Sequence, residues 1–551
     1  MSTAFDDDPE RRPTEPRAPR GRTVVRRSAA QRRAPGVDGG TNPVGPITLS
    51  VMRSMIAAVD ALQGYTAAGT VPAFAPALSE GEVTGLAEHV RKYQAATRQF
   101  IADWLRDTRQ SAWLVEGSSG RILDTVSAGA RDGSALADAQ IAIAADQQLH
   151  GLRRRLVRAG VGTPVATWSR RQVLDEDTDL TRATAARPMT AVVSVVQNSD
   201  RRVRTVRVHL LDPVAVATLE LAGVAMPLAA DFTAPVALTL GLERKPAASA
   251  YGIRAAARRG TVDGFTALTP FAPDRVPLIL LEGAGHSPLV TAQIANEIAG
   301  DADLCRRFQV WLYRYPMAAP LFHAARRFRD ELEAFHTRLE AVTEGSLPGR
   351  GVVIAYGPGA VLAKTLLVDS NDALWDACFT TPLAALELAA ADRALLESLF
   401  FWRRSPRIDR VIVAGEPRNT AALTAGVGAR AVQLFVRQNP ELRSAIERIH
   451  WRQKQHLRRP ALSSTADPAT ARSEFPEPLF QALSDVSVCA DRALLALTAA
   501  ADGRDAGGSD ARVFSPAAGL APLCTQLLPA GPDILGPRST AFVLDWLRPR
   551  H

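Results

Sequence analysis

The five residues 355–359 (Ala-Tyr-Gly-Pro-Gly) have the spacing of a catalytic turn, with a small residue two positions before and two positions after the centre. An apolar run over residues 352–354 predicts a buried strand before the turn, and the residues from Ala360 onward predict a helix after it. In a nucleophile elbow this strand-turn-helix unit carries a serine at its centre, where the sharp bend exposes the attacking hydroxyl. The centre here is Gly357, which has no side chain, so the sequence predicts the turn without its nucleophile.

The residue after the centre of the turn also lacks a group that serine catalysis needs. Acyl transfer by a serine also needs a histidine base, an acid that orients the histidine, and two backbone N–H groups that bind the oxyanion. One of these N–H groups normally belongs to the residue that follows the nucleophile. That residue is Pro358, which carries no N–H. Loss of one oxyanion donor lowers kcat by about 10²–10³, and loss of the serine lowers it by about 10⁶.

A second candidate nucleophile lies in residues 285–287 (Gly-His-Ser), between another predicted strand and helix. Ser287 is followed by Pro288 and has no glycine two residues later, and this pattern is typical of a helix cap followed by the first helical turn. Glu282 and His286 could form an acid–base pair, although structural roles are favoured for both. Ser287 with His286 remains the less favoured alternative centre for catalysis.

The composition favours a globular protein without a cofactor. The chain has 551 residues, 46% of them hydrophobic, and no run of 18 apolar residues, so no transmembrane segment is expected. Its N-terminus is acidic and lacks an apolar core, which predicts no secretory signal and a cytoplasmic location. The four cysteines are far apart without C-x-x-C spacing, and no zinc-ligand set, phosphate loop or calcium loop is present in the sequence. No metal and no cofactor are therefore expected, and the cysteines are interpreted as reduced, mostly buried thiols.

The net charge of +8 is only partly explained by the N-terminus. Residues 1–40 hold nine arginines against six acids, and the rest of the charge is spread over the remaining chain. Residues 1–46 are rich in Pro, Arg and Gly without periodicity, which predicts a disordered tail. Nucleic-acid binding requires a localised basic stripe. Because the folded part shows none, nucleic acid is not an expected partner, and binding through the tail is the least favoured function.

The spacing of apolar residues divides the remaining chain into two regions. Ser79-x-x-Glu82 is a capping box before a helical apolar face, and residues 47–190 are predicted to form a helical N-terminal region. Strands and helices then alternate, which predicts a parallel sheet covered on both faces. Its strands are expected at residues 276–281, 309–313, 352–354 and 410–414, and a long amphipathic helix is expected near residues 321–342. Residues 458–478 are Pro- and Ser-rich and are predicted to be irregular.

From about Val203 to Arg418 the chain resembles bacterial lipase- and esterase-like members of the α/β-hydrolase family. The resemblance depends on blocks that keep their order and spacing. These blocks are residues 211–213 (Leu-Asp-Pro), 227–235 (Pro-Leu-Ala-Ala-Asp-Phe-Thr-Ala-Pro), 277–283 (Pro-Leu-Ile-Leu-Leu-Glu-Gly), 307–316 (Arg-Phe-Gln-Val-Trp-Leu-Tyr-Arg-Tyr-Pro), 362–364 (Leu-Ala-Lys), 368–370 (Val-Asp-Ser) and 413–420 (Val-Ala-Gly-Glu-Pro-Arg-Asn-Thr). The resemblance implies an α/β fold with an α/β-hydrolase-like, mostly parallel sheet covered by helices.

The resemblance also implies where the remaining catalytic parts belong. The second oxyanion donor would come from a loop where many relatives have His-Gly and this chain has Glu282 and Gly283, and a carboxylate there would oppose a developing negative charge. The base would lie near residues 531–533 (Gly-Pro-Asp), which contain no histidine, and the terminal His551 is a poor substitute. Asp502 or Asp505 would lie near the position of the acid. The degenerate elbow Tyr356, Gly357 and Pro358 thus lacks its partners as well.

These observations predict a pseudo-hydrolase. Residues 191–551 would form the α/β-hydrolase-like domain, with a lid-like insertion at residues 376–407. The protein would act in ligand binding or as a scaffold for a partner. The expected partners are an apolar or acyl ligand under the lid, a homologous active hydrolase, or a second copy of the chain. An active esterase or lipase that uses Ser287 is the alternative.

Overall fold

The structure is a computed structural model of the chain. It describes residues 57–58, 80–106, 114–115, 120–128, 139–169, 185–197, 204–221, 224–240, 264–283, 289–315, 321–345, 347–356, 359–414, 448–449, 452–458, 482–483, 485–488, 493–499, 524–528 and 537–548. The predicted disordered tail at residues 1–46 lies outside these ranges, as does the predicted irregular segment 458–478 apart from its first residue.

A long helix, α1, spans Glu80–Arg106 and has the apolar face that its spacing predicts. Val90, Tyr93 and Phe100 are buried on this face. The Tyr93 hydroxyl donates to the carbonyl oxygen of Val193 at 2.8 Å and accepts a hydrogen bond from the Val193 N–H at 2.9 Å. A single buried hydroxyl therefore ties α1 to a strand 100 residues later in the chain.

The residues after α1 form a six-stranded sheet. The first strands are β1 (Leu114–Val115), β2 (Gly120–Ala128), β3 (Ala139–Ile143), β4 (Val157–Arg158), β5 (Thr163–Ser169), β6 (Arg187–Gln197) and β7 (Arg204–Leu211). The order in the sheet is β1-β2-β7-β6-β5-β3, in which β2 and β7 are parallel and all other neighbours are antiparallel. Four shorter elements follow: β8 (Thr218–Leu221), β9 (Val224–Pro227), β10 (Ala230–Asp231) and the helix α2 (Thr233–Leu240).

This sheet corrects the prediction that residues 47–190 form a helical region. Only α1 fits that prediction, because β1 to β5 and part of β6 lie in the same region. The strands β2 and β3 contain alanine, serine and glycine among few β-branched residues, so their period of two is weak in the sequence. The predicted boundary between residues 190 and 191 also falls inside β6, so the six-stranded sheet extends across it.

The second sheet has seven strands and includes every strand predicted after residue 270. Its strands are β11 (Gly264–Ala267), β12 (Val276–Gly283), β13 (Phe308–Tyr315), β14 (Gly351–Tyr356), β15 (Ile408–Ala414), β16 (Ala493–Ala499) and β17 (Cys524–Leu528). The order is β11-β13-β12-β14-β15-β16-β17, and β11 is the antiparallel strand. The expected α/β fold with a mostly parallel sheet is confirmed.

Helices cover both faces of this sheet, because its central strands are apolar on both sides. They are α3 (Leu289–Gly300), α4 (Ala302–Arg307), α5 (Leu321–Val342), α6 (Gly359–Lys364), α7 (Ala373–Cys378), α8 (Ala390–Phe400) and α9 (Pro537–Leu547). In β12, Leu280 belongs to the same apolar cluster as α3 and α9. Its neighbour Leu281 belongs to the cluster that contains α5 and α6. On α5 the predicted apolar face is buried at Phe328 and Leu332, but Val342, at the last position of the helix, is 41% exposed and does not belong to it.

The two sheets are connected through α3. The Gln293 amide donates to the carbonyl oxygen of Gly151 at 2.9 Å, and the Asn296 amide donates to that of Arg154 at 3.1 Å. Further along the chain β4 pairs with β10, just before α2. Residues 151–154, which lie between β3 and β4, therefore run along one side of α3. Through these residues the six-stranded sheet is attached to α3, the first described helix after β12.

Residues 365–407 form an insertion between α6 and β15 that contains α7 and α8. The Trp375 ring stacks on Phe379 at 3.9 Å between ring centres and meets Phe400 edge-on at 5.3 Å. On α8, Asp392 accepts two hydrogen bonds from Arg448, at 2.6 and 3.1 Å. The insertion is packed into the apolar cluster that it shares with α5 and α6. Its opening as a lid stays a prediction.

Candidate functional site

The predicted turn follows a central strand of the sheet. β14 pairs with β12 on one side and with β15 on the other, and all three are parallel. The strand ends at Tyr356 and the helix α6 begins at Gly359, so only Gly357 and Pro358 separate them in the sequence. Both of these residues lie outside the described ranges. A Cβ atom added to Gly359 would lie 3.4 Å from Cδ2 of Leu281, so α6 begins in contact with β12.

A buried glutamate lies at the same edge of the sheet, where β12 ends. Glu282 is opposite Arg314 of β13 in the parallel register. Nε of Arg314 donates to Oε2 of Glu282 at 3.3 Å, and the Thr291 side chain on α3 also forms a hydrogen bond with this carboxyl group. The Glu282 side chain is 5% exposed and that of Arg314 is 22% exposed. Burial raises the pKa of Glu282, although Arg314 and Thr291 oppose this shift.

Two oxygen atoms at this edge are buried without hydrogen-bond partners. They are Oε1 of Glu282 and the hydroxyl oxygen of Tyr315, the last residue of β13. Tyr315 is 1% exposed. Burial raises its pKa, and the nearby negative charge of Glu282 raises the pKa further, so the hydroxyl keeps its proton at every physiological pH. An unpartnered buried polar group costs about 1–3 kcal/mol of stability, so these two oxygens need an explanation.

Tyr356 extends this polar group to a third strand. Side chains alternate between the faces of a strand, and Tyr356 lies with Ile354 and Leu280 against one apolar cluster. Glu282, two residues after Leu280, therefore belongs to the same face. The ends of β13, β12 and β14 accordingly place Arg314, Glu282 and Tyr356 side by side. We call these three residues, together with Tyr315, which ends β13 on the opposite face of the sheet in the apolar cluster of Leu281 and Tyr313, the edge cluster.

The edge cluster includes two of the residues singled out in the sequence, Glu282 and Tyr356. The alternative pair Ser287 and His286 lies outside the described residues. The same is true of the other sequence candidates at the base and acid positions: Asp502, Asp505, residues 531–533 and His551. Catalysis by Ser287 therefore stays a prediction. Gly283 ends β12 opposite Tyr315, and its oxyanion-loop role stays a prediction.

Sequence reasoning missed Arg314 and Tyr315 as members of the site. Both belong to the block 307–316, which was recognised only as part of the family resemblance. A signal was nevertheless present, since an arginine near the end of an otherwise apolar strand must reach an acid or solvent. The sequence did not indicate which acid, because Glu282 precedes Arg314 by 32 residues.

Within the edge cluster, the described side chains can bind and orient a ligand. The arginine and the tyrosine hydroxyls can donate hydrogen bonds, the carboxyl group can accept them, and none of these groups is a serine or cysteine nucleophile. In the described part of the chain, no group of three or more His, Cys, Asp or Glu side chains is placed to hold a metal ion. No helix there is long and apolar enough to span a bilayer.

Comparisons with known proteins give distant structural likenesses. No protein-family model matches the chain, and no curated protein matches its sequence. The chain is similar to an inhibited esterase B from Lactobacillus rhamnosis, with 12% identity, 50% of this chain and 76% of that chain covered, and a TM-score of 0.24. It is also similar to a lipase/esterase from Lactobacillus plantarum, with 14% identity, 50% and 86% covered, and a TM-score of 0.23. Scores this low support no inference about the site, so the edge cluster must be interpreted from its own geometry.

Proposed function

We propose that this protein is a pseudo-hydrolase, an α/β-hydrolase-like scaffold that binds a ligand at the carboxyl edge of its parallel sheet without hydrolysing it. The observation that carries the proposal is the junction of β14 and α6. The strand ends at Tyr356 and the helix begins at Gly359. This spacing supports the interpretation that Gly357 occupies the position where an active enzyme would have its nucleophile.

Two further features support a loss of catalysis rather than a changed mechanism. Pro358 follows the nucleophile position and has no N–H to donate to an oxyanion. On the neighbouring strand, the position expected to provide the second donor is occupied by Glu282, a buried carboxyl group. An enzyme that stabilises negative charge presents preorganised donors at these positions. This chain has no N–H at one of the two oxyanion-donor positions, and it has the carboxyl group of Glu282 at the other.

Ligand binding is favoured over a purely structural role because the edge retains unpartnered polar atoms. A scaffold whose only task is to hold its shape has no use for a buried carboxylate oxygen and a buried hydroxyl that lack partners, since each lowers its stability. In open α/β sheets ligands bind outside the carboxyl ends of the strands. A partner protein that is an active homologue remains compatible with the same surface.

The experiment measures ester hydrolysis by the purified full-length chain. We expect no turnover of p-nitrophenyl acetate or p-nitrophenyl octanoate above the buffer rate, and no labelling by a fluorophosphonate probe. The Gly357→Ser variant should remain inactive, because Pro358 still blocks the oxyanion donor and the base is not restored.

The matched variants are Ser287→Ala and Gly357→Ala. Turnover that is abolished by Ser287→Ala and unchanged by Gly357→Ala would refute the proposal and establish the alternative esterase. Fluorophosphonate labelling that maps to a peptide containing Ser287 would lead to the same conclusion.

A further inference from the structure

We infer that residues 448–458 form a strap that holds the insertion at residues 365–407 in place, so that the insertion is a fixed part of the fold and not a lid that opens freely. The structure describes residues 448–449 and 452–458 of this strap. The family resemblance implies a lid here and assigns no role to the strap. How the insertion is held is independent of what binds at the edge of the sheet, so the strap and the proposed function are tested separately.

The strap pairs with the backbone of the insertion just after α7. Phe379 and Leu457 form an antiparallel β-bridge. Two backbone hydrogen bonds of 2.8 Å flank the bridge, from the N–H of Thr380 to the carbonyl oxygen of His456 and from the N–H of Arg458 to that of Cys378. Phe379 itself is 1% exposed inside the apolar cluster that the insertion shares with α5 and α6. The strap is therefore attached to a part of the insertion that is also packed from within.

An ion pair attaches the strap to α8. Nη2 and Nε of Arg448 donate to the two carboxylate oxygens of Asp392 at 2.6 and 3.1 Å, which is the bidentate geometry of a strong pair. The Asp392 side chain is 4% exposed, whereas that of Arg448 is 45% exposed. Arg448 therefore compensates a buried carboxylate. Movement of the strap away from α8 would leave this buried charge unpaired, which is strongly destabilising.

Two further contacts lie between these attachments along the strap. Gln453 is 5% exposed, and its side-chain amide donates to the carbonyl oxygen of Glu387 at 2.8 Å. Ile449 is 3% exposed and belongs to the same apolar cluster as Leu396 and Leu399 of α8. The contacts are thus distributed from the end of α7 to α8, and they do not meet at a single point of the insertion.

The path of the chain explains why these contacts prevent opening. The two ends of the insertion continue into α6 and β15, and an insertion fixed only at its ends can swing about them like a hinged lid. The strap belongs to a different segment, the connection from β15 to β16, which are neighbouring parallel strands. It therefore ties the middle of the insertion to the sheet by a separate route. The insertion also contacts α5, where Arg329 donates to the Ser398 carbonyl oxygen at 3.3 Å.

The experiment measures amide hydrogen exchange of the full-length protein by mass spectrometry, which distinguishes local opening from global unfolding. In the wild type, the amides of α8 should exchange within about tenfold of those of β12 and β14. The double variant Asp392→Asn/Arg448→Met removes the ion pair without leaving a buried charge. It should raise the exchange rate of α8 at least about tenfold relative to β12 and β14, because a bidentate pair is among the stronger hydrogen-bonded contacts.

The matched control is Asp303→Asn/Arg306→Met, which removes an exposed ion pair within α4 and should leave the exchange of α8 unchanged. Circular dichroism and urea denaturation check that each variant folds. Gln453→Ala is a milder variant of the same strap, and it should raise the exchange rate of α8 at least about threefold.

Three results would overturn the assignment of the strap. In the first, α8 of the wild type exchanges more than about tenfold faster than β12 and β14, as a mobile lid would. In the second, the exchange of α8 stays unchanged in the folded strap variants. In the third, exchange rises equally in α8 and in the sheet, which would mean that the strap stabilises the whole fold without holding the insertion. None of these results involves ester hydrolysis.

Discussion

The insertion at residues 365–407 and the edge cluster differ in how their buried polar groups are hydrogen-bonded. In the insertion, Ser370 accepts a hydrogen bond from the Trp402 N–H at 2.8 Å and donates to the Trp402 carbonyl oxygen at 3.2 Å. The Arg329 guanidinium lies 4.1 Å from the Trp402 ring centre. At the edge, Glu282 and Tyr315 each keep one buried oxygen without a partner. The hydrogen bonds of the insertion stabilise the fold, whereas the unpartnered oxygens at the edge lower its stability. Such departures from full hydrogen bonding are typical of functional sites.

The helix α6 connects the two regions. It begins at Gly359 in contact with β12, and the first residues of the insertion, just after its end, accept hydrogen bonds from residues near the end of the insertion. Nε1 of Trp402 donates to the Thr365 carbonyl oxygen at 2.9 Å, and the Ser405 N–H donates to that of Leu366 at 2.9 Å. The helix that follows the predicted turn is therefore fixed at its far end. Because the insertion is anchored and the edge keeps unpartnered polar atoms, substitutions in the two regions should change the stability of the protein differently.

The largest effect is expected from Trp375→Ala in the insertion. Trp375 is 3% exposed, contacts Phe379 and Phe400, and donates from Nε1 to the Thr381 carbonyl oxygen at 3.0 Å. Truncation should lower the free energy of unfolding by about 3–5 kcal/mol, measured by urea denaturation. Trp375→Phe is the control and should cost less. A loss under about 1 kcal/mol for the alanine variant would show that the insertion is not part of the core.

The second effect concerns Lys364 at the end of α6, which is 1% exposed. Burial lowers its pKa from 10.5 to about 7, and Asp485 partly opposes the shift. The unfolded chain therefore binds this proton more tightly than the folded chain, so stability should rise by a few kcal/mol as the pH increases from about 7 to 10.5. Lys364→Met should flatten this rise and stabilise the protein most below pH 7. Melting temperatures across pH 6–10 measure both, and an unchanged profile would contradict the assignment.

Two buried tyrosines provide a matched test of the unsatisfied edge. Tyr93→Phe removes a hydroxyl with two hydrogen bonds to Val193 and should cost about 1–3 kcal/mol, since the Val193 backbone groups lose their partner. Tyr315→Phe removes an unpartnered hydroxyl and should leave the free energy of unfolding within about 0.5 kcal/mol or increase it. Equal losses in the two variants would mean that the Tyr315 hydroxyl is satisfied in solution.

The smallest effect is expected from Asp369→Asn. Asp369 accepts hydrogen bonds from the Arg404 N–H at 2.8 Å and from Nη1 of Arg404 at 3.1 Å, and both side chains are about one-third exposed. The asparagine keeps one acceptor, and exposed ion pairs contribute little, so the loss should be under about 1 kcal/mol by urea denaturation. A larger loss would mean that the insertion depends on this exposed pair for its attachment.

Strong local periodicity was sufficient to predict four strands of the second sheet and the long helix α5. The alternation of strands and helices after residue 270, and the buried face of α5 at Phe328 and Leu332, follow from spacing within single segments. The six-stranded sheet was missed because β2 and β3 are weakly patterned and because a long stretch of chain separates β2 from its partner. β2, for example, pairs with β7 about eighty residues later, and no local pattern encodes that partner.

By itself, the sequence determined which atoms are missing from the turn. Gly357 has no side chain and Pro358 has no N–H in any conformation, because both properties are covalent. Only the tertiary structure decided what lies beside the turn. The register of β12 and β13 brings Glu282 to Arg314, and burial leaves Oε1 of Glu282 and the Tyr315 hydroxyl without partners. Register and burial depend on how distant segments pack against each other, and for that reason the sequence alone predicts a lost catalyst but not the ion pair that remains.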